Sequence, residues 1–163
     1  MKTLLLMRHA KSSWKYPDLP DHDRPLKKRG LHDARTMGEH LLERKRVPQL
    51  IASSTAVRAE QTARLVAEVT ECPTPIDLAP TFYQAGPSAY VAYLRALDDT
   101  VMRVLLIGHN PGLEVLLEAL TGQPERLPTA AIAEIALQID AWQDLQETPC
   151  GELIAISLPG ESD

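Results

Sequence analysis

The sequence predicts an α/β three-layer sandwich. Short aliphatic runs alternate with segments of helical apolar spacing along the chain, which is the pattern of helices packed on a sheet. No internal repeat, low-complexity tract or linker interrupts that alternation, so residues 1–163 are read as one domain.

Residues 3–7 form a short, Leu-rich run ended by polar residues, a buried strand. A polar stretch over residues 11–30 follows, carrying Pro17, Pro20 and Pro25. A loop of that length in a small domain is functional or mobile. Residues 31–45 place Leu31, Ala34, Leu41 and Leu42 at helical spacing, with Met37 and Gly38 between them. Residues 49–52 form a short strand. Ser53, Ser54 and Thr55 then supply N-cap chemistry for a helix over 56–69, with Ala59, Ala63, Val66 and Ala67 as its apolar positions and Pro73 and Pro75 ending it.

A helix over 88–97 is marked by Tyr90, Val91 and Leu94. Residues 101–107, rich in Val, Leu and Ile, give the strongest strand signal. Asn110 and Pro111 read as the cap and first position of a helix with Leu113, Leu116, Leu117 and Leu120 along one stripe, ended by Gly122. Residues 131–139 alternate, with Ala133, Ile135, Leu137 and Ile139 on one side, and residues 152–158 form a last strand.

The chain has 163 residues, 44% hydrophobic and 24% charged, the profile of a folded protein with an aliphatic core. Its net charge of -5 argues against nucleic acid as main partner, since backbone phosphates require a basic face. Any anion site must be a local positive spot. Cys72 and Cys150 form no CxxC pair; they read as two buried thiols, although spacing alone allows one bridge. No apolar run approaches the roughly 20 residues that span a bilayer, and the N-terminal run is too short for a signal core, so the expected location is cytoplasmic, without membrane contact.

Polar residues of one kind gather at three predicted strand ends. Arg8 and His9 end the first strand, Ser53 to Thr55 and Arg58 follow the second, and Gly108, His109 and Asn110 end the strand over 101–107. Open α/β sheets bind ligands at the carboxyl ends of their strands. If these strands are parallel and adjacent, two arginines and two histidines meet beside helix N-termini, which favour anions. Arg8 and Arg58 then match phosphate oxygens, His9 can attack phosphorus in line, and His109 can donate a hydrogen bond to a phosphate oxygen. Nearby positive charge keeps His9 neutral. Ser12 is a further candidate phosphate ligand. Trp14 and Tyr16 can wall the pocket or simply pack the loop.

The runs Leu6-Met7-Arg8-His9-Ala10-Lys11-Ser12-Ser13-Trp14 and Asp21-His22-Asp23-Arg24-Pro25-Leu26 resemble the histidine phosphatase superfamily, specifically its short SixA-type phosphohistidine phosphatases. So do Ser53 to Ala63, Gly108 to Gly112 and Leu127 to Ala131, in family order over nearly the whole chain. The resemblance implies a phosphoglycerate-mutase-like fold with a central, mainly parallel sheet flanked by helices. It implies a hydrolase with His9 as the phosphorylated nucleophile, with Arg8, Arg58 and His109 around the phosphate, and with neither metal nor cofactor. The implied partner is a phosphorylated protein of a signalling relay, and inorganic phosphate is the product.

Two departures bear on the chemistry. Ala10 stands where the superfamily usually has Gly. Larger members carry an acidic proton donor between the second arginine and the second histidine, where this chain reads Pro80-Thr81-Phe82-Tyr83-Gln84-Ala85-Gly86. Imidazole leaves readily, with an unperturbed pKa of about 6.5, whereas an alkoxide needs a proton. An acid-poor pocket therefore favours phosphohistidine or aryl phosphates, unless Asp23 or Asp21 serves as the acid.

Alternatives stay open at this point: a small-molecule or nucleotide phosphatase, a non-catalytic phosphate-binding module and, remotely, a mutase. His22, His32 and His40 read as surface residues rather than metal ligands. Lys27, Lys28 and Arg29 read as a solvated charge run before a helix, with attraction of a phosphorylated partner as the weaker option.

Overall fold

A computed structural model describes residues 1–160. Its six strands are β1 (Lys2–Arg8), β2 (Leu50–Ser53), β3 (Asp77–Leu78), β4 (Arg103–Gly108), β5 (Ile132–Leu137) and β6 (Gly151–Ser157). They form one sheet in the order β3-β2-β4-β1-β5-β6. The pairs β1–β4, β2–β4 and β2–β3 are parallel, whereas β1–β5 and β5–β6 are antiparallel. The mainly parallel sheet implied by the family resemblance is present, and the three strands that carry the polar ends are neighbours.

Four helices cover the two faces: α1 (Lys28–Glu43), α2 (Val57–Thr70), α3 (Pro87–Arg95) and α4 (Gly112–Thr121). Side chains alternate across a strand, and β1 and β4 use both directions. Leu5, Met7, Leu105 and Ile107 pack with Ala34, Met37 and Leu41 of α1 and Ala59, Ala63 and Val66 of α2. Leu4, Leu6, Val104 and Leu106 pack with α3 and α4 through Tyr90, Leu94, Leu113 and Leu117. This double burial explains why both strands read as unbroken aliphatic runs. Gly38 lets α1 approach α2 closely, since a Cβ there would sit 3.0 Å from Val69 Cβ.

Several boundaries differ from the sequence expectation. The loop ends earlier, because α1 begins at Lys28 and takes Lys28, Arg29 and Gly30 into its first turn. The charge run is thus helical; Lys and Arg are good helix formers, and Arg29 pairs with Asp33 at 3.6 Å one turn on. Leu42, expected on the apolar stripe, is exposed. α2 ends before Pro73, at Glu71 in the left-handed conformation. α4 begins after Pro111, which stands at its cap after a cis Asn110–Pro111 bond, so Asn110 is not the cap. β3, two residues long, has no sequence signal. Cys72 and Cys150 are free and half-buried, not buried. No helix among the described residues is long and apolar enough to cross a membrane.

Candidate active site

β1 and β4 end side by side: His9 N–H donates to Gly108 O at 3.1 Å. The next residue on β4's chain is His109, so the two rings stand 5.1 Å apart by centroid. A strap before β5 closes the floor. Ala130, at φ 66, donates its N–H to Arg8 O at 3.0 Å and His9 O at 3.1 Å. Leu127 O on the same strap accepts from Arg8 Nη1 at 3.3 Å and Asn110 Nδ2 at 2.8 Å.

His9 and His109 are 7% and 8% exposed. His9 Nδ1 lies 2.8 Å from Ala10 O. A carbonyl only accepts, so Nδ1 carries the proton and Nε2 keeps its lone pair. Ala10 itself is buried, and its N–H donates to Thr62 Oγ1 at 3.0 Å, which ties the turn after His9 to α2. Burial, more than the neighbouring His109, Arg58 and Arg8, lowers the His9 pKa to about 3. Burial and then Arg58 lower that of His109 to about 4. Both rings are therefore neutral near pH 7. The sequence foresaw the effect of positive charge but not the larger effect of desolvation.

His109 Nε2 bonds Ser54 Oγ at 2.8 Å, and the same oxygen accepts the Ala56 N–H at 3.2 Å. Ser54, expected only as a helix cap, thus also orients a site histidine. Cap chemistry at a strand end was the signal available. Arg58, on the first turn of α2, is buried, and its Nη1 and Nη2 donate to Asp21 O at 2.7 Å and Asp21 Oδ2 at 3.0 Å.

The polar loop folds over this floor. Ser13 N–H donates to Pro25 O at 2.8 Å and Lys27 N–H to Lys11 O at 3.0 Å, closing its base. Gly30 packs on that base, where a Cβ would come 2.2 Å from Lys11 O. A 3₁₀ turn over Asp21–Asp23 sits at the loop's far end. Arg24, buried and not singled out from the sequence, joins Asp21 Oδ1 at 3.1 Å and Ser12 Oγ at 2.9 Å, and stacks on the Trp14 ring at 3.5 Å. Tyr83 O–H donates to Asp21 Oδ2 at 2.7 Å.

Together these enclose a cavity of about 390 Å³ lined by Arg8, His9, Ser12, Trp14, Asp21, Arg58 and His109, all named as site candidates from the sequence, and by Lys11, Arg24, Tyr83, Gln84, Asn110 and Thr129. Tyr16 is outside that lining and half-exposed. His22 is not a plain surface residue: it bonds Thr55 Oγ1 at 2.9 Å and meets the Tyr83 ring edge-on at 4.8 Å. Asp23 does not line the cavity and faces His22 at 3.5 Å. Asp21 does line it, but the Tyr83 hydrogen bond, with help from Arg58 and Arg24, lowers its pKa to about 2. The geometry therefore gives neither aspartate the part of proton donor. Among the described residues no three His, Cys, Asp or Glu side chains gather around a possible metal position.

The fold and cavity define an α/β protein with a cationic cavity at the carboxyl ends of its parallel strands, floored by two neutral histidines. The sequence profile of the histidine phosphatase superfamily (branch 1) matches residues 4–82. The phosphohistidine phosphatase SixA of Escherichia coli is 31% identical over 95% of this chain and 99% of its own. An uncharacterized protein of Mycobacterium tuberculosis is 32% identical over 94% of this chain and 99% of its own. A structure of the protein histidine phosphatase SixA complexed with tungstate superposes with a TM-score of 0.83 at 27% identity, covering 96% of this chain and 97% of that one. The chain belongs to the histidine phosphatase superfamily. It is a hydrolase of the histidine phosphatase kind, acting on a phosphorylated substrate.

Proposed function

We propose that the protein hydrolyses phosphohistidine on a partner protein, without metal, through a phosphoryl group carried transiently on His9. The observation that carries this reading is the His9 ring: Nδ1 is tied to Ala10 O at 2.8 Å, which leaves Nε2 as a neutral nucleophile in an arginine-lined cavity. Arg8 and Arg58 neutralise the equatorial oxygens of the phosphoryl group as His9 Nε2 attacks in line. His109 Nε2 bonds the Ser54 hydroxyl at 2.8 Å; in the tautomer in which that hydroxyl donates, the His109 proton sits on Nδ1 and is offered to a phosphate oxygen. Water then attacks phosphorus, the bond to His9 Nε2 breaks, and inorganic phosphate leaves.

Ser12 is a further phosphate ligand in this reading: its oxygen accepts from Arg24 at 2.9 Å, and its O–H keeps a donor for a phosphate oxygen. Residues 1–163 act as one domain, in the cytoplasm. The similarity to proteins described as SixA phosphohistidine phosphatases supports the substrate class. So does the cavity, which offers no evident acid for a poor leaving group.

The test is phosphate release from a phosphohistidine protein and from an aryl phosphate, with chelator present, by the unmodified enzyme and by His9→Ala. Turnover that vanishes in His9→Ala, with acid-labile phosphate trapped on His9 of the unmodified enzyme, is the expected result. Tight phosphate binding without turnover would instead make the chain a phosphate-binding module.

A further inference from the structure

The proposed reaction breaks one phosphorus–nitrogen bond and forms another, so the two rings that exchange the phosphoryl group are alike. Each carries phosphorus on one nitrogen and must keep a proton on the other to depart as neutral imidazole. On the enzyme's side that proton is held by Ala10 O, 2.8 Å from His9 Nδ1. The substrate ring needs an acceptor of its own. In-line attack puts the leaving nitrogen opposite His9. His9 lies at the buried floor, 7% exposed, so the leaving ring lies toward the rim.

At the rim stands the single carboxylate of the cavity lining, Asp21, with its side chain 48% exposed. Oδ2 is taken by Arg58 at 3.0 Å and Tyr83 at 2.7 Å, whereas among the described residues Oδ1 accepts only from Arg24 Nε at 3.1 Å. An ionised carboxylate has about four acceptor sites, so Oδ1 has capacity left. A negative charge there repels phosphate oxygens and suits a donor instead. Asn110 Oδ1 also lacks a partner, but it is buried and carries no charge.

Building on the phosphohistidine reading, we infer that Asp21 is a specificity-determining residue that accepts a hydrogen bond from the unphosphorylated ring nitrogen of the substrate histidine. In the transfer step the His9 Nε2 lone pair forms the new bond to phosphorus. The substrate's phosphorus–nitrogen bond breaks, and its electron pair stays on the substrate nitrogen. The substrate ring departs as neutral imidazole with its N–H still on the Asp21 carboxylate, and no outside proton is consumed. Arg58 on α2, Arg24 beside the 3₁₀ turn and Tyr83 after β3 hold that carboxylate in place. Aryl and alkyl phosphates, which have no such N–H, gain nothing from it, and the anionic leaving group of a nucleoside polyphosphate is opposed.

The experiment compares kcat/KM for phosphoimidazole, for its analogue methylated on the other nitrogen and for an aryl phosphate, each relative to its uncatalysed hydrolysis. A hydrogen bond to a charged group changes such a ratio by roughly 10-fold or more. The unmodified enzyme is expected to accelerate phosphoimidazole by at least about 10-fold more than the methylated analogue. Asp21→Asn is expected to collapse that ratio toward one, while any disturbance of Arg58 lowers all three substrates together. Equal acceleration of the first two by the unmodified enzyme, or a ratio unaltered in folded Asp21→Asn, overturns the role of Asp21 and leaves the nucleophile standing. Full turnover by His9→Ala overturns the nucleophile and this proposal with it.

Discussion

Arg8, His9 and His109 stand on strand ends whose spacing is set by the β1–β4 ladder, whereas Trp14, Asp21 and Arg24 stand on a loop held largely by side-chain bonds. The floor is rigid because moving any part of it breaks a buried sheet. The rim depends on ion pairs and stacking near solvent, which are worth far less. The contrast separates two tasks: the floor fixes the phosphoryl group and the nucleophile, and the rim meets whatever the phosphoryl group is attached to. Mutations should therefore divide, with floor changes lowering kcat and rim changes shifting the balance between substrates.

The largest effect is expected from His9→Ala, which should lower kcat by at least about 10⁴-fold on every substrate. A loss confined to one substrate, in steady-state phosphate release, would break the division. Acid should next distinguish the floor by stability. The unfolded chain protonates its histidines below about pH 6.5, whereas folded His9 and His109 resist until about pH 3 and 4. The unfolded state then binds more protons, so stability falls as pH drops from about 6.5 toward 4, by at most about 1.4 kcal/mol per ring per pH unit. Urea unfolding at pH 7 and 5 checks this, and replacing both histidines with Gln should flatten the decline.

Ser54→Ala removes the hydroxyl that bonds His109 Nε2 at 2.8 Å. It should cost about 10-fold in kcat with little change in KM. A KM effect alone would move Ser54 from the floor to binding. The smallest effect belongs to Trp14→Ala: loss of its stack on Arg24, worth about 0.5–1 kcal/mol at an exposed site, should lower kcat/KM by only about 2–5-fold. A loss as large as that for Ser54→Ala would erase the difference between rim and floor.

The floor was legible in the sequence because strand-end chemistry is local: Arg8 and His9 follow an aliphatic run, and His109 follows another. Arg58 was legible from its place just after a Ser-rich strand end. Its partner was not, because Asp21 lies 37 positions away and meets it only when the loop folds back. Arg24 and Tyr83 are hidden for the same reason, although the three-residue step from Asp21 to Arg24 is a local pairing signal. The start of α1 is not legible because a basic run ending in Gly30 looks like a loop, and the reason for that glycine is a contact with Lys11 that sequence spacing does not reveal. The double burial of β1 and β4 made the layered architecture easy to read, while two-residue β3 left no periodicity to detect.

The loop that forms the rim is pinned at its base by the backbone bonds from Ser13 to Pro25 and from Lys27 to Lys11. Between those pins it behaves as a cassette. Those bonds hold its two ends together, so exchange over residues 14–24 is expected to leave His9 and His109 in place provided Asp21, the partner of Arg58, is kept. In evolutionary terms that separates the rate at which substrate preference can drift from the rate at which the nucleophile can. For an engineer it marks the segment to randomise first when retargeting the catalyst, with Gly30 kept fixed as the seat on which the cassette rests.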